Sequence, residues 1–339
     1  MKKIFLLLVL FTASRLLQAQ PVDSIRFFTD EKLITLTLTT DLRGLQLQKG
    51  KEQFQEAEVE CRMPDSTVIN EKIQVAARGN FRRGYCRIPP MLLNFRTPGA
   101  PRLRSLGKLK LVLGCGAHAD DEALLLKEYL VYKIYNLLEE KSFRVRLLRL
   151  NYVDTRNKIK SYSQYAFLIE DDADLAKRTG CKKQKYGQTL TESTNRQLMT
   201  KVALFEYMIG NTDWSVPNDH NVKLIFDKKN PSALPYCIPY DFDYCGLVNA
   251  DYAIPNEIIG TEKVTERVYR GFPRTLEEIQ QALEGFRNQR EKIENLIMGF
   301  DLLNEKRRKE MRDYLDEFWD TIKTESRVKS IFVDNARTS

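Results

Sequence analysis

The sequence predicts an α+β protein of two lobes, β-rich over residues 20–170 and mainly helical with acidic loops over residues 171–325. Three observations predict it. The first half holds segments that alternate apolar and β-branched polar residues, clearest in Ile34-Thr35-Leu36-Thr37-Leu38-Thr39; period-two alternation marks a half-buried strand. The last third carries long amphipathic helical patterns. Between them, Asn211 to Gly246 reads as an acidic loop, a strand, a polar turn, a second strand and a second acidic loop.

The two ends read differently from the body. Met1-Lys2-Lys3, the apolar run Ile4 to Phe11 and the small residue Ala19 match a secretory leader over residues 1–19, too short to remain as a membrane span. An exported protein, periplasmic or extracellular, is expected, without a permanent membrane span. Residues 326–339 read as a loose tail. Without the leader's three basic residues the net charge falls from +8 to about +5. No dense basic block interleaved with aromatics occurs, so a nucleic-acid polymer is not expected as a partner. An even number of cysteines permits disulfides. Cys237 and Cys245 bracket the second acidic loop and could staple it; the alternative is that several are buried small apolar residues.

Along the chain, strands are expected at 57–61, 72–76, 91–95 and 108–113, the last with Lys108 and Lys110 on one face. Arg78-Gly79-Asn80-Phe81-Arg82-Arg83-Gly84 lies between the second and third of these. Such a basic, Gly-containing loop can cover phosphates with N–H groups and Arg side chains, or be an ordinary hairpin. A helix follows over 122–140, with Glu128 in its second turn. A strand pair, 145–153 and 161–169, leads into the acidic connector Glu170-Asp171-Asp172. Thr194-x-x-Gln197 reads as a capping box for a helix whose Leu198, Val202, Phe205 and Ile209 make one buried face, ending at Gly210. Thr275-x-x-Glu278 and Asn304 start two further helices that suit an antiparallel pair.

The central hairpin brings the Asp213 loop and the Asp241 loop to one end of a sheet. One carboxylate can orient a hydroxyl while an Asn and the other carboxylate hold a divalent metal, which is what phosphoryl transfer requires. The order of parts adds to this: a Gly-containing loop, a strand with Lys, a helix with Glu, an acidic connector, a buried helix, an Asp loop, then Asp241-Phe242-Asp243. That is the order in a two-lobed protein-kinase-like fold. Lys110 and Glu128 are spaced for a strand-to-helix ion pair, with Lys108 nearly as well placed.

Arg78-Gly79-Asn80, Leu168-Ile169-Glu170, Asn211-x-Asp213 with His220-Asn221, and Ile238-Pro239-Tyr240-Asp241-Phe242-Asp243 resemble the CotH (spore-coat protein H) kinase family over roughly Ile73 to Ala253, closest to an exported Bacteroidota branch. The resemblance implies an atypical protein kinase that transfers phosphate from ATP to Ser or Thr hydroxyls of itself or of an envelope or secreted protein, with Mg²⁺ or Mn²⁺. It implies Asp213 as the catalytic carboxylate, Asn221 and Asp241 as metal ligands, and Asp243 as a second metal carboxylate or a hydrogen-bond acceptor that shapes the loop. Asn218 competes with Asn221, since it lies five residues after Asp213. Arg78, Gly79, Lys110, Glu128 and Glu170 are the expected nucleotide-binding residues, Glu170 at the adenine edge. The chain departs from the family in its Arg-rich loop, in Arg87 and in lacking a His-Arg before Asp213.

The competing reading is a catalytically silent relative acting in cell-envelope assembly or binding. A third reading is a metal-dependent hydrolase using the same acidic cluster; a His-rich metal site is disfavoured by a content of two His, and a serine hydrolase by the absence of a G-x-S-x-G elbow.

Overall fold

The computed structural model describes residues 21–48, 53–79, 81–116 and 119–337. The expected leader, Asn80 and His118 lie outside the described residues. The chain opens with α1 (Ser24–Thr29) and β1 (Ile34–Thr40), then α2 (Leu42–Leu47), β2 (Gln55–Arg62), β3 (Val68–Ala77) and α3 (Phe81–Tyr85). Next come β4 (Met91–Asn94), β5 (Lys108–Leu113), the long α4 (Ala119–Leu138), β6 (Val145–Asp154) and β7 (Ser163–Ile169).

These strands close into a barrel in the order β1-β2-β3-β4-β5-β7-β6. The expected two-lobed protein-kinase-like fold, with a β-rich N-terminal lobe and a helical C-terminal lobe, is overturned by that closure, since a kinase N-terminal lobe is an open sheet. The cause is β1. Its apolar positions alternate inward, and both its edges are occupied: antiparallel to β2, and parallel to β6 from Ile34 opposite Leu148 to Thr40 opposite Asp154. Closure removes the unpaired N–H and C=O groups that an open sheet leaves at its edges. Leu36, Leu38, Val59, Val75, Leu93, Leu109, Leu111, Leu148 and Leu150 are among the side chains that fill the interior.

The remainder follows as α5 (Asp172–Arg178), β8 (Cys181–Lys182), α6 (Arg196–Ile209), β9 (Val222–Asp227), β10 (Tyr236–Pro239), α7 (Leu276–Met298), α8 (Glu305–Thr321) and α9 (Glu325–Lys329). It has its own core, which α4 shares through Leu125, Tyr129, Tyr132 and Tyr135. So α4, expected with the β-rich part, packs with the helices. The expected hairpin is present as β9–β10, with β8 on its other side. Thr275 and Glu278 form the expected capping box, and Asn304 caps α8. At α6 the cap is Asn195, one residue beyond the expected Thr194, whose hydroxyl donates to Thr191 O instead. The tail expected to be loose is helical from Glu325 to Asp334 and buries Val328 and Phe332. No helix among the described residues is long and apolar enough to cross a membrane.

Cys86 and Cys115 form a disulfide that ties the end of α3 to the end of β5. Of the two readings open for Cys237 and Cys245, a staple or buried small apolar residues, the structure bears out the second: both are buried free thiols whose side chains pack in the helical core. Replacing Cys86 and Cys115 by Ser is expected to cost about 3 kcal/mol, because the bridge restricts the unfolded chain. Urea titration of variant and parent checks this; coincident midpoints would refute it.

Candidate active site

The acidic hairpin is positioned from α6. The helix stops at Gly210, whose left-handed φ of 66° suits glycine, and a Cβ there would run into the Tyr314 hydroxyl. Asn211 then turns the chain: its N–H donates to Glu206 O at 2.8 Å, and its side-chain oxygen accepts the Asp213 N–H at 3.0 Å. Arg270 fixes the loop from outside by donating to the carbonyls of Thr212 and Trp214 at 2.6 and 2.8 Å.

Asp213 is held by two neighbours. His220 Nε2 donates to Asp213 Oδ1 at 2.8 Å, and Asn221 Nδ2 donates to Oδ2 at 3.0 Å and to the Asp213 carbonyl at 2.7 Å. Paired backbone bonds between Ser215 and His220 close the loop. Asn221, at φ 52°, is buried where β9 begins, whereas the competing Asn218 is exposed. The structure therefore places Asn221 against Asp213. Asn and Asp tolerate this left-handed backbone better than other residues with a side chain.

The second loop follows β10. Asp241 has φ 67°, and its N–H donates to the Tyr132 hydroxyl of α4 at 2.8 Å. Among the described residues its carboxylate has no hydrogen bond or ion pair. Asp243 is buried and accepts from the Tyr252 hydroxyl at 3.0 Å. Burial, reinforced by Asp241, raises the Asp243 pKa to about 6, against the opposing pull of Arg82 and Tyr252.

Arg82 is the residue that sequence reasoning missed. Its Nη1 lies 3.4 Å from Glu128 and 3.5 Å from Asp243, and its Nη2 donates to the Leu113 carbonyl. Burial opposes its charge, but Tyr252, Asp243, Glu128 and Asp241 together outweigh that and raise its pKa. Glu128 is 1 % exposed, and desolvation pushes its pKa well up. The expected Lys110–Glu128 pair is thus replaced by Arg82–Glu128. Lys110 instead stands over the Tyr240 ring, 4.0 Å from its centroid. Burial, with Arg78 beside it, lowers its pKa to about 8. The alternative Lys108 packs over Phe54. The signal is present in the Arg-rich loop Arg78–Gly84, but the resemblance singles out Arg78 and Gly79 there instead of Arg82.

Two expected nucleotide residues fare differently. Arg78 is half-buried, and its charge acts on Lys110, Glu128 and Tyr240, so it belongs to the cluster; Gly79 beside it is exposed with φ 85°. Glu170 is committed internally: Arg178 binds both its oxygens at 2.8 and 3.0 Å, and the Arg144 N–H donates to it at 3.1 Å. That side chain ties β7 to α5 and is not offered to a ligand.

Among the described residues no group of three His, Cys, Asp or Glu is arranged to hold a metal ion by itself. Asp241 and Asp243 with the Asn221 amide are an all-oxygen donor set of the kind that hard cations take. Mg²⁺ is ordinarily held by one or two carboxylates together with substrate phosphates, and the residues fit that arrangement rather than a preformed cage.

Asp213 also lines an open cleft of about 450 Å³, together with Thr212, Tyr244, Ile254, Ile258 and Lys263. Asp213, held by His220 and Asn221, thus lies in the electrostatic neighbourhood of Asp243 and Asp241, with Arg82 against Asp243 and Lys110 acting on Asp241. No protein-family model matches the chain, and no curated protein matches it.

Proposed function

We propose that the protein is an exported phosphotransferase of CotH-kinase type, passing phosphate from ATP to Ser or Thr hydroxyls of itself or of an envelope or secreted protein. The observation that carries this reading is Asp213. It is oriented by His220 and Asn221, lines an open cleft, and shares the electrostatic neighbourhood of Asp241 and Asp243. The acceptor hydroxyl would donate to the Asp213 carboxylate, which takes up its proton as the oxygen attacks the γ-phosphorus and the bridging P–O bond breaks to release ADP. Arg78, Lys110 and Arg82 would neutralise phosphate oxygens; Lys110, with a pKa near 8, keeps most of its charge at neutral pH. Asp241 and Asp243 would hold Mg²⁺ or Mn²⁺ on the nucleotide, a bound cation supplying charge neutralisation. The leader pattern and the Cys86–Cys115 disulfide support export, because such bonds persist in oxidising compartments.

A second reading, a catalytically silent protein that binds at the cell envelope, is favoured by one observation: Arg82 already spans Glu128 and Asp243. Thermal-shift titration with ATP and Mn²⁺, together and separately, decides between them. A bound ligand raises the melting temperature by mass action. The expected result is a metal-dependent ATP shift that Asp241→Asn abolishes, with transfer to Ser or Thr lost in Asp213→Asn by about 10²-fold or more. No shift at millimolar ATP would sink the phosphotransferase reading.

A further inference from the structure

Ile258 and Ile254 are 96 % and 67 % exposed, the two most exposed large apolar side chains among the described residues, and both line the cleft onto which Asp213 opens. Apolar side chains displayed together beside a polar site mark a contact surface. The display is built, not accidental. Thr261 is buried and clasps the base of the loop: its hydroxyl accepts the Asn256 N–H at 2.8 Å and donates to the Asn256 carbonyl at 3.1 Å. Gly260, at φ 81°, turns the chain back.

The loop is anchored at both ends. Upstream, the Tyr252 hydroxyl donates to Asp243. Downstream, the Tyr314 hydroxyl donates to the Thr265 carbonyl at 3.0 Å, and Arg267 pairs with Glu317 at 2.7 Å. Ile258 is therefore presented by a segment whose ordering is settled before any partner arrives, which lowers the cost of binding.

The sign of the cleft selects the partner. Asp213, Glu257 and Glu266 line it against Lys263 alone, and Glu262 stands exposed beside them. An acidic peptide or a nucleic acid would be repelled, whereas a basic, partly apolar chain is complementary. We propose that this cleft is the docking groove for the acceptor: an extended polypeptide segment of another protein, carrying an apolar residue and a basic residue beside the hydroxyl offered to Asp213. This rests on the phosphotransferase reading for the fate of the hydroxyl, but the docking itself does not require nucleotide.

The test is therefore binding, read by fluorescence anisotropy on the full chain without nucleotide. Three labelled peptides serve as probes, each with a central Ser flanked by Leu and Arg, by Leu and Glu, or by Gly and Arg. The Leu–Arg peptide is expected to bind at least about tenfold more tightly than the other two. Ile258→Ser with Ile254→Ser should remove about that factor, and such exposed side chains have few folded-state contacts to lose. Glu257→Lys with Glu266→Lys should move the preference to the Leu–Glu peptide. Equal binding of the three peptides, or binding of none, overturns the proposal. So does sedimentation showing a self-association that Ile258→Ser abolishes, since a second copy of this chain would then be the occupant. Selective peptide binding without any ATP shift would keep the groove and reject phosphoryl transfer.

Discussion

Arg82→Met is expected to lower stability by about 3–5 kcal/mol, the usual cost of leaving buried charges without their partner. The guanidinium stands between Glu128 and Asp243, both nearly inaccessible to water, and bonds the Leu113 carbonyl at the end of β5. Methionine fills much of the same volume but leaves two carboxyls facing each other. The loss should depend on pH. Without the cation both folded-state pKa values climb further, so the variant binds protons that its unfolded chain releases, and its deficit grows as pH rises above about 4. At acid pH both carboxyls are protonated in either state and the deficit narrows. Adding Glu128→Gln to Arg82→Met should restore part of the loss, because removing both partners costs less than orphaning one. Chemical denaturation of the parent, the single and the double variant reads this directly. A single variant as stable as the parent at neutral pH would show that Arg82 is incidental to the cluster.

Glu206 carries the second large effect. It is 1 % exposed on α6, and neither carboxylate oxygen has a hydrogen-bond partner among the described residues. Desolvation raises its pKa to about 8 from 4.5, while the Asn211 amide and the Arg270 charge pull the other way and Asp213 adds to the rise. Tyr135, Cys237 and Cys245 are its other titratable neighbours. The folded carboxyl stays protonated where the unfolded one is ionised, so the native state binds the extra proton. Its contribution is fully present below pH 4.5 and is lost as pH rises through about 8, on the order of 5 kcal/mol in all. Glu206→Gln, neutral throughout, should lack that decline. Melting temperatures at about pH 5 and about pH 9 compare them: the parent should fall more steeply than the variant. Parallel declines would place the Glu206 carboxyl in contact with water.

Much of the local structure was legible in the sequence, and the long-range structure was not. The α6 face, Gly210, the capping box at Thr275 and the Asn304 cap depend on residues within one or two turns, where spacing and chemistry suffice. The β9–β10 hairpin is local too, and with it came the juxtaposition of Asp213 and Asn221. Barrel closure was hidden because β1 finds its second partner in β6, across the whole first half of the chain. Arg82 was hidden because its partner Glu128 is 46 residues away, and a Lys on a strand offered a simpler match. Glu170 is a similar case. Its place at the end of β7 was foreseen, but Arg178 on α5, eight residues on, turns the carboxylate inward. The charge of Glu206 was lost in an apolar helical face, since only the folded surroundings reveal that nothing there solvates it.

The parallel pairing of β1 with β6 has a consequence for how the chain reaches its native state. A chain that emerges N-terminus first presents Ile34–Thr40 long before Val145–Asp154 exists to receive it. Until then β1 can pair only with β2, and its other edge stands open as a template for any passing strand. Contacts so distant in sequence form late and slowly, so the half-made barrel is the species most exposed to aggregation. Its last closing step waits on the arrival of β6.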